Sequence, residues 1–217
     1  MEARETEKLP GDPFNLIITG VGGQGNVLAS RVLGNILSRK GYSVTIGETF
    51  GASQRGGSVM SHLRISTGGS WSPQIPRGRA HVVVSLEPTE ALRVLASYGN
   101  PQVKTLCNTR PVHSIAVISG DAAYPEPEQF RQWIAELSAD AWFLDATEAA
   151  MAMGNAIFAN IMMIGALSAA RLLPVDAPDF EAVLVDMLGP DKVAVNREAF
   201  DKGASMLCGT GKQDLGN

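Results

Sequence analysis

The feature that most constrains this chain is the run over residues 14–37, where a short apolar stretch enters Gly20-Val21-Gly22-Gly23-Gln24-Gly25 and then a helical pattern. Leu28, Val32, Leu33, Ile36 and Leu37 recur at helical spacing, and Gly41 is placed to stop the helix. A continuous apolar strand is one whose two faces are both covered, as in the parallel sheets of α/β proteins. The remaining pattern agrees. A second strand is predicted over residues 43–48, and a glycine-rich connection over 49–57 leads to an alternating segment around Val59, Leu63 and Ile65. That alternation reads as a half-exposed strand with His62 and Arg64 on its solvent side.

Further strands are predicted over residues 81–86, 103–107, 115–118 and 141–145, with helices over 88–98 and 127–137 and a helical last third. Strands alternating with helices give an α/β, Rossmann-like fold, a mostly parallel sheet with helices on both faces. Residues 14–208 are read as a single domain, with a polar, flexible arm over 1–13 and a flexible tail over 209–217.

Composition narrows the function. The 217 residues are 45 % apolar and 18 % charged, with a net charge of −4, and no Lys/Arg cluster stands out. Nucleic acid is therefore not an expected partner, because phosphate neutralisation needs a concentrated basic face. The shortage of charge suggests a surface partly covered by another protein. Cys107 and Cys208 are the two cysteines, far apart in the chain, so the chain by itself cannot supply four thiolates to an iron–sulfur cluster. Cys107 sits in an apolar run and reads as a buried strand residue. His113 has no neighbouring ligands to complete a zinc site. The charged first ten residues lack an apolar signal core, which makes a cytoplasmic location the expectation. Residues 149–170 carry no charge and are long enough to span a bilayer, but Gly154, Asn155, Asn160, Gly165 and Ser168 interrupt them. A buried or subunit-facing helix is the expected reading, and no membrane is expected.

The chemistry-bearing residues fall in two groups. Gly20, Gly22 and Gly25 satisfy G-x-G-x-x-G between a strand and a helix, so the turn, with Gly23 and Gln24, faces an anion or cofactor in one reading. Glu48 then stands where a dinucleotide fold holds a ribose diol. A tight turn serving only close packing is the other reading, and both stay open. The second group is the loop with Gly51, Gln54, Arg55, Gly56 and Gly57. Its glycines allow close backbone approach, while Gln54 and Arg55 present forked donors suited to carboxylate, phosphate or a partner's carbonyls. His62 and Arg64 would extend that surface, although a structural role for His62 comes ahead of a catalytic one. Asn155 and Asn160 either satisfy buried backbone groups or meet a partner helix. Ser61 and Ser85 have no evident base, and Glu126 and Glu128 sit in a proline-rich turn.

GVGGQG at residues 20–25, ETFGASQRGGSVMSHLR at 48–64, CNTRPV at 107–112 and the apolar segment beginning GNAIFANIMMIGAL at 154 together resemble the small, gamma-type subunit of the 2-oxoacid:ferredoxin oxidoreductases. The joined ETFGASQRGG and SHLR block is the most specific part. CNTRPV and Tyr124-Pro125 incline the resemblance to the indolepyruvate branch.

The resemblance implies a subunit of an enzyme that oxidises a 2-oxoacid with coenzyme A to an acyl-CoA and carbon dioxide and reduces ferredoxin. Thiamine diphosphate and 4Fe–4S clusters are then expected in a larger partner subunit, with coenzyme A as substrate and no cofactor bound by this chain alone. Gln54 and Arg55 become the candidates for shaping the catalytic surroundings. Two other readings remain: an NAD(P)-dependent oxidoreductase, and a noncatalytic nucleotide-sensing module. The first lacks a recognisable substrate domain, and the second fits the missing catalytic groups.

Overall fold

The computed structural model describes residues 7–51, 57–113, 115–121 and 123–209. Gln54, Arg55 and Gly56, the centre of the candidate loop, lie outside them, as does the side chain of Cys208. Six strands form one sheet: β1 (Phe14–Val21), β2 (Ser43–Phe50), β3 (Ser58–Ser66), β4 (Val82–Ser85), β5 (Lys104–Asn108) and β6 (Asp140–Leu144). Their order is β2-β3-β1-β4-β5-β6. The β1/β4, β4/β5 and β5/β6 pairs are parallel, and β3 runs antiparallel to both β1 and β2. Five strands thus point one way. The sixth, β3, is a hairpin partner folded between the first two.

Helices cover both faces. On one lie α1 (Asn26–Arg39), α5 (Ala146–Ala152), α6 (Ala159–Ala169), α7 (Ala177–Leu188) and α8 (Val193–Gly209), sharing a core with Leu16, Ile18, Leu63 and Val84. On the other lie α2 (Pro88–Tyr98) and α4 (Pro127–Glu136), packed with Ile17, Val83, Val103 and Cys107. Every residue of β1 is buried, as its unbroken apolar run requires. Cys107 is fully buried too, which raises the pKa of its thiol, with Glu87 adding to the effect.

Three expectations are corrected. The segment over residues 115–118 is not a strand but a single helical turn, α3 (Ile115–Ile118). A four-residue apolar run does not select between the two, and β5 and β6 already pair directly, leaving no place between them. β3 is not half-exposed: all of it beyond Ser58 is buried. His62 and Arg64 are therefore not on a solvent face, because residues 67–81 fold back across it. Ile75 is wholly buried there, its N–H points at Nδ1 of His62 (3.4 Å), and Nη1 of Arg64 donates to the Ser72 carbonyl (3.0 Å).

The uncharged segment is divided, with α5 ending before Gly154, a 3-10 turn at Ala156–Phe158, and then α6. No helix among the described residues is long and apolar enough to cross a membrane. α6 is buried all round, from Ala159 through Leu167, which removes it as a surface for a partner. It lies very close to α8. A Cβ on Gly165 would fall 1.9 Å from the Phe200 carbonyl oxygen, and one on Gly203 would fall 1.9 Å from that of Met162. Backbone meets backbone here, so no side chain can move aside.

Gly165→Ala should therefore destabilise the chain by about 3 kcal/mol, the upper part of the usual overpacking range. For a chain of this size that lowers Tm by roughly 6–12 °C. Gly34→Ala on α1 is the control, since its new methyl would meet the mobile end of Ile46. Thermal unfolding followed by circular dichroism should show a large drop for the first and a shift within about 3 °C for the second. Equal shifts would contradict the backbone contact.

Candidate functional site

The carboxyl ends of β1, β4, β5 and β6 lie on one edge of the sheet, and α/β proteins bind ligands outside that edge. A cleft of about 480 Å³ opens there. Gly23 and Gln24 form one wall, Arg110 to Val112 another, and Thr147, Met151, residues 155–157 and Ala159 the third, above Leu86 and Asn108.

The glycine turn is held almost entirely by the chain's own groups. Gln24 lies across it, its Oε1 accepting from the Val21 N–H (2.7 Å) and its Nε2 donating to the Leu86 carbonyl (2.9 Å). The Gly22 N–H donates to the Gly57 carbonyl (2.8 Å), and the Gln24 N–H donates to Val21 (3.2 Å). A Cβ on Gly20 would displace the hydrogen-bonded Gln24 side chain, meeting its Oε1 at 2.7 Å, and would lie 2.9 Å from Oδ1 of Asn26. Gly25 caps α1 at φ +83°, and a Cβ there would fall 2.0 Å from Nδ2 of Asn160. That Nδ2 donates to the Gly25 carbonyl (3.3 Å). Asn26 and Asn160 each keep a buried Oδ1 with no donor among the described residues. Both are acceptors. The turn thus uses the Val21, Gly22 and Gln24 amides within the chain and sets two acceptor oxygens, those of Asn26 and Asn160, beside the start of α1.

Glu48 does not join it. It pairs with Ser61, which pairs in turn with Ile18, so Glu48 lies two strands from β1, about 10 Å across the sheet. In a dinucleotide fold the acidic residue ends the strand next to β1. Here β3 occupies that place.

The remaining predicted residues separate into distinct places. Gly51 closes the β2–β3 hairpin through its N–H to Ser58 (2.7 Å), and Gly57 meets the glycine turn. His62 stacks edge-on with Tyr98, and burial lowers its pKa. Arg64 pairs in register with Asn15 at the far edge, about 24 Å along the strand from Gly57. The two therefore do not extend the loop's polar surface. Asn155 is exposed and caps the 3-10 turn, accepting from Ile157 N–H (3.0 Å).

Two residues not singled out from the sequence organise the cleft. Glu87, wholly buried after β4, caps α2 by accepting from the Glu90 N–H (2.9 Å) and the Thr89 hydroxyl (2.6 Å). Its other oxygen accepts from the Tyr124 hydroxyl and the Val112 N–H (3.4 Å). Burial and this hydrogen bond raise the Tyr124 pKa, so the phenol stays protonated. Asn108 is also wholly buried. Its amide donates to Leu86 (3.0 Å) and Thr147 Oγ1 (2.9 Å) and accepts from Thr147 N–H (3.1 Å), joining the ends of β4 and β5 to the start of α5. The sequence signal for Glu87 was an acidic residue between an apolar strand and Pro88, the ordinary position of a helix cap.

A larger hollow, about 770 Å³, lies at the opposite edge against Glu7 to Pro10. Two of its three lysines are already engaged, Lys40 with Asp176 and Asp179 and Lys104 with Asp140. Among the described residues no group of three or more His, Cys, Asp or Glu side chains could hold a metal.

A double-mutant cycle on Glu87→Gln and Tyr124→Phe tests the anchor. Hydrogen bonds to a charged group contribute about 1.5–3 kcal/mol, so urea unfolding should give a coupling of that size. Additive effects would mean that the 109–124 segment is held elsewhere.

The comparisons with known proteins bear on this geometry. The family model for pyruvate ferredoxin/flavodoxin oxidoreductase matches residues 15–206. Indolepyruvate oxidoreductase subunit IorB of Pyrococcus horikoshii is 38 % identical over 192 residues, covering 88 % of this chain and 94 % of that protein. The subunit of the same name from Thermococcus kodakarensis is 35 % identical over 191 residues, covering 88 % and 94 %. Among solved structures, the 2-oxoglutarate:ferredoxin oxidoreductase of Magnetococcus marinus, with 2-oxoglutarate, coenzyme A and succinyl-CoA bound, superposes with a TM-score of 0.71 at 20 % identity. That match covers 94 % of this chain and 32 % of the other, so a fold of this kind also occurs as one part of a longer polypeptide. The six-stranded sheet with its inserted antiparallel strand, and a family match running almost end to end, make this chain a member of the pyruvate ferredoxin/flavodoxin oxidoreductase family.

Proposed function

We propose that this chain is the small subunit of a 2-oxoacid:ferredoxin oxidoreductase acting on indolepyruvate or a related arylpyruvate, completing an assembly whose reactive cofactors sit in a larger subunit. The observation that carries this reading is the 38 % identity to the indolepyruvate oxidoreductase subunit across nearly its whole length. Thiamine diphosphate and 4Fe–4S clusters belong, in this reading, to the partner. The residues here do not fit a 4Fe–4S cluster: two cysteines cannot ligate it, and Cys107 is wholly buried. No chemical step is assigned to this chain.

Its contribution is a wall. In this reading the carboxyl edge, with the 480 Å³ cleft, the exposed Met151 and the exposed Phe50 beside the Gln54–Arg55 loop, faces the larger subunit. The partner supplies electron-sink and electron-transfer chemistry, and this chain supplies orientation and exclusion of water. Arg55 and Gln54 stand as the groups that position an anionic group or a partner's carbonyl. The location is the cytoplasm, and reduced ferredoxin is the product of the assembled enzyme.

Sedimentation of the chain mixed with the large subunit should give one heavier species that oxidises indolepyruvate with coenzyme A and reduces ferredoxin. This chain alone should be colourless and inactive, and the assembly should prefer indolepyruvate to pyruvate in kcat/KM by at least about tenfold, or ~1.4 kcal/mol. Separate boundaries, or activity in the isolated chain, would overturn the subunit reading. A preference for pyruvate would overturn only the substrate.

Arg55→Ala is the test of the loop. Loss of charge-assisted hydrogen bonds should lower turnover of the assembly about ten- to a hundredfold. The Tm of the subunit should move little, as for a surface substitution within about 0.5 kcal/mol. Wild-type turnover would make the loop a connector.

A further inference from the structure

At the sheet edge opposite the candidate site lies a buried positive charge without a counter-ion. Arg64 is 7 % exposed, and among the described residues no carboxylate pairs with it. A guanidinium cannot shed its proton, so its burial has to be compensated by hydrogen bonds or by an anion. Compensation within the chain is partial. Nε donates to Oδ1 of Asn15 (3.2 Å), Nη1 donates to the Ser72 carbonyl (3.0 Å), and the Trp71 ring lies 5.1 Å from Cζ. No hydrogen bond from Nη2 is found among the described residues.

Arg64 lines a cleft of about 640 Å³ below the amino ends of β1 and β4, and two further donors line the same space. One is Arg79, exposed, with its backbone fixed by Nδ2 of Asn15 donating to its carbonyl (2.8 Å). The other is His81. Its Nδ1 accepts from the Asn15 N–H (2.9 Å), so the neutral ring carries its proton on Nε2. Burial lowers its pKa, which keeps the ring neutral and in that tautomer at pH 7. The acidic residue lining the cleft, Asp12, accepts from the Thr67 hydroxyl (2.9 Å), and its hydrogen bonds to Ser66 and Thr67 lower its pKa. It stays charged at the rim, tied to those hydroxyls.

We propose that this cleft binds the phosphoryl group of a small phosphorylated ligand, held between the Arg64 and Arg79 guanidiniums with His81 Nε2 as a third donor. A phosphoryl group offers three acceptor oxygens in different directions, which suits three donors, one from β3 and two from the segment before β4, better than a planar carboxylate does. The site lies at the other end of the sheet from the glycine turn. It is independent of the reaction assigned to the family.

Inorganic phosphate is the probe. Added to the full chain at pH 7, it should raise Tm saturably beyond sodium chloride of matched ionic strength, because a ligand of the folded state stabilises it by mass action. Acetate should not. Arg79→Gln, at an exposed position where folding is not at stake, should weaken the phosphate dependence about tenfold. Arg64→Lys keeps the charge but not the fork, and should weaken it as well. A phosphate effect equal to that of chloride, an equal effect of acetate, or an unchanged dependence in Arg79→Gln would each overturn the assignment.

Discussion

The antiparallel pairing of β3 with β1, running in register from Phe14 opposite Ile65 to Val21 opposite Ser58, is the contact on which the rest of the structure depends. It places a second central strand where a plain βαβ unit would put β2. The β2–β3 hairpin brings the Gly57 carbonyl onto the Gly22 amide at one end and Arg64 beside Asn15 at the other. Residues 67–81, leaving β3, then cover the face that carries His62 and Arg64. One change of strand order thus sets the environment of the glycine turn, the burial of two polar side chains and the distance of Glu48 from β1.

The two edges of the sheet are built differently. At the carboxyl edge, Gln24, Glu87 and Asn108 use side-chain groups to satisfy backbone ends, and buried groups of that kind are costly to leave unmade. The result is a stiff wall around a modest cleft. At the amino edge, by contrast, a buried guanidinium has fewer partners than it can use.

Much of this was legible in the sequence, for identifiable reasons. β1, α1, β2 and α2 were readable because their apolar spacing is continuous and glycine or proline marks their ends. Cys107 was readable from its apolar neighbours. The insertion of β3 was not, since periodicity describes a strand's faces and not its neighbours; the short loop before it was a signal for an antiparallel hairpin. The solvent side assigned to His62 and Arg64 failed for the same reason, because alternation cannot reveal a covering segment 67–81. Residues 115–118 were too few to choose between strand and helix. The uncharged segment concealed the break at Gly154, and α6 proved to be core. As for the site, Gly20 to Gly25 do come together, whereas Glu48, His62 and Arg64 go elsewhere and Glu87 and Asn108 take their place. A lone glutamate before a proline carries too little local pattern to mark its fourfold role.

The central claim is that the Val21, Gly22 and Gln24 amides of the glycine turn are spent on hydrogen bonds within the chain, against a spacing suited to dinucleotides. Calorimetric titration of the full chain with NAD and with FAD tests it most directly. The account predicts no saturable heat up to about 1 mM ligand, where even binding worth ~4 kcal/mol would register. A one-to-one isotherm with Kd below about 0.1 mM for either would contradict it.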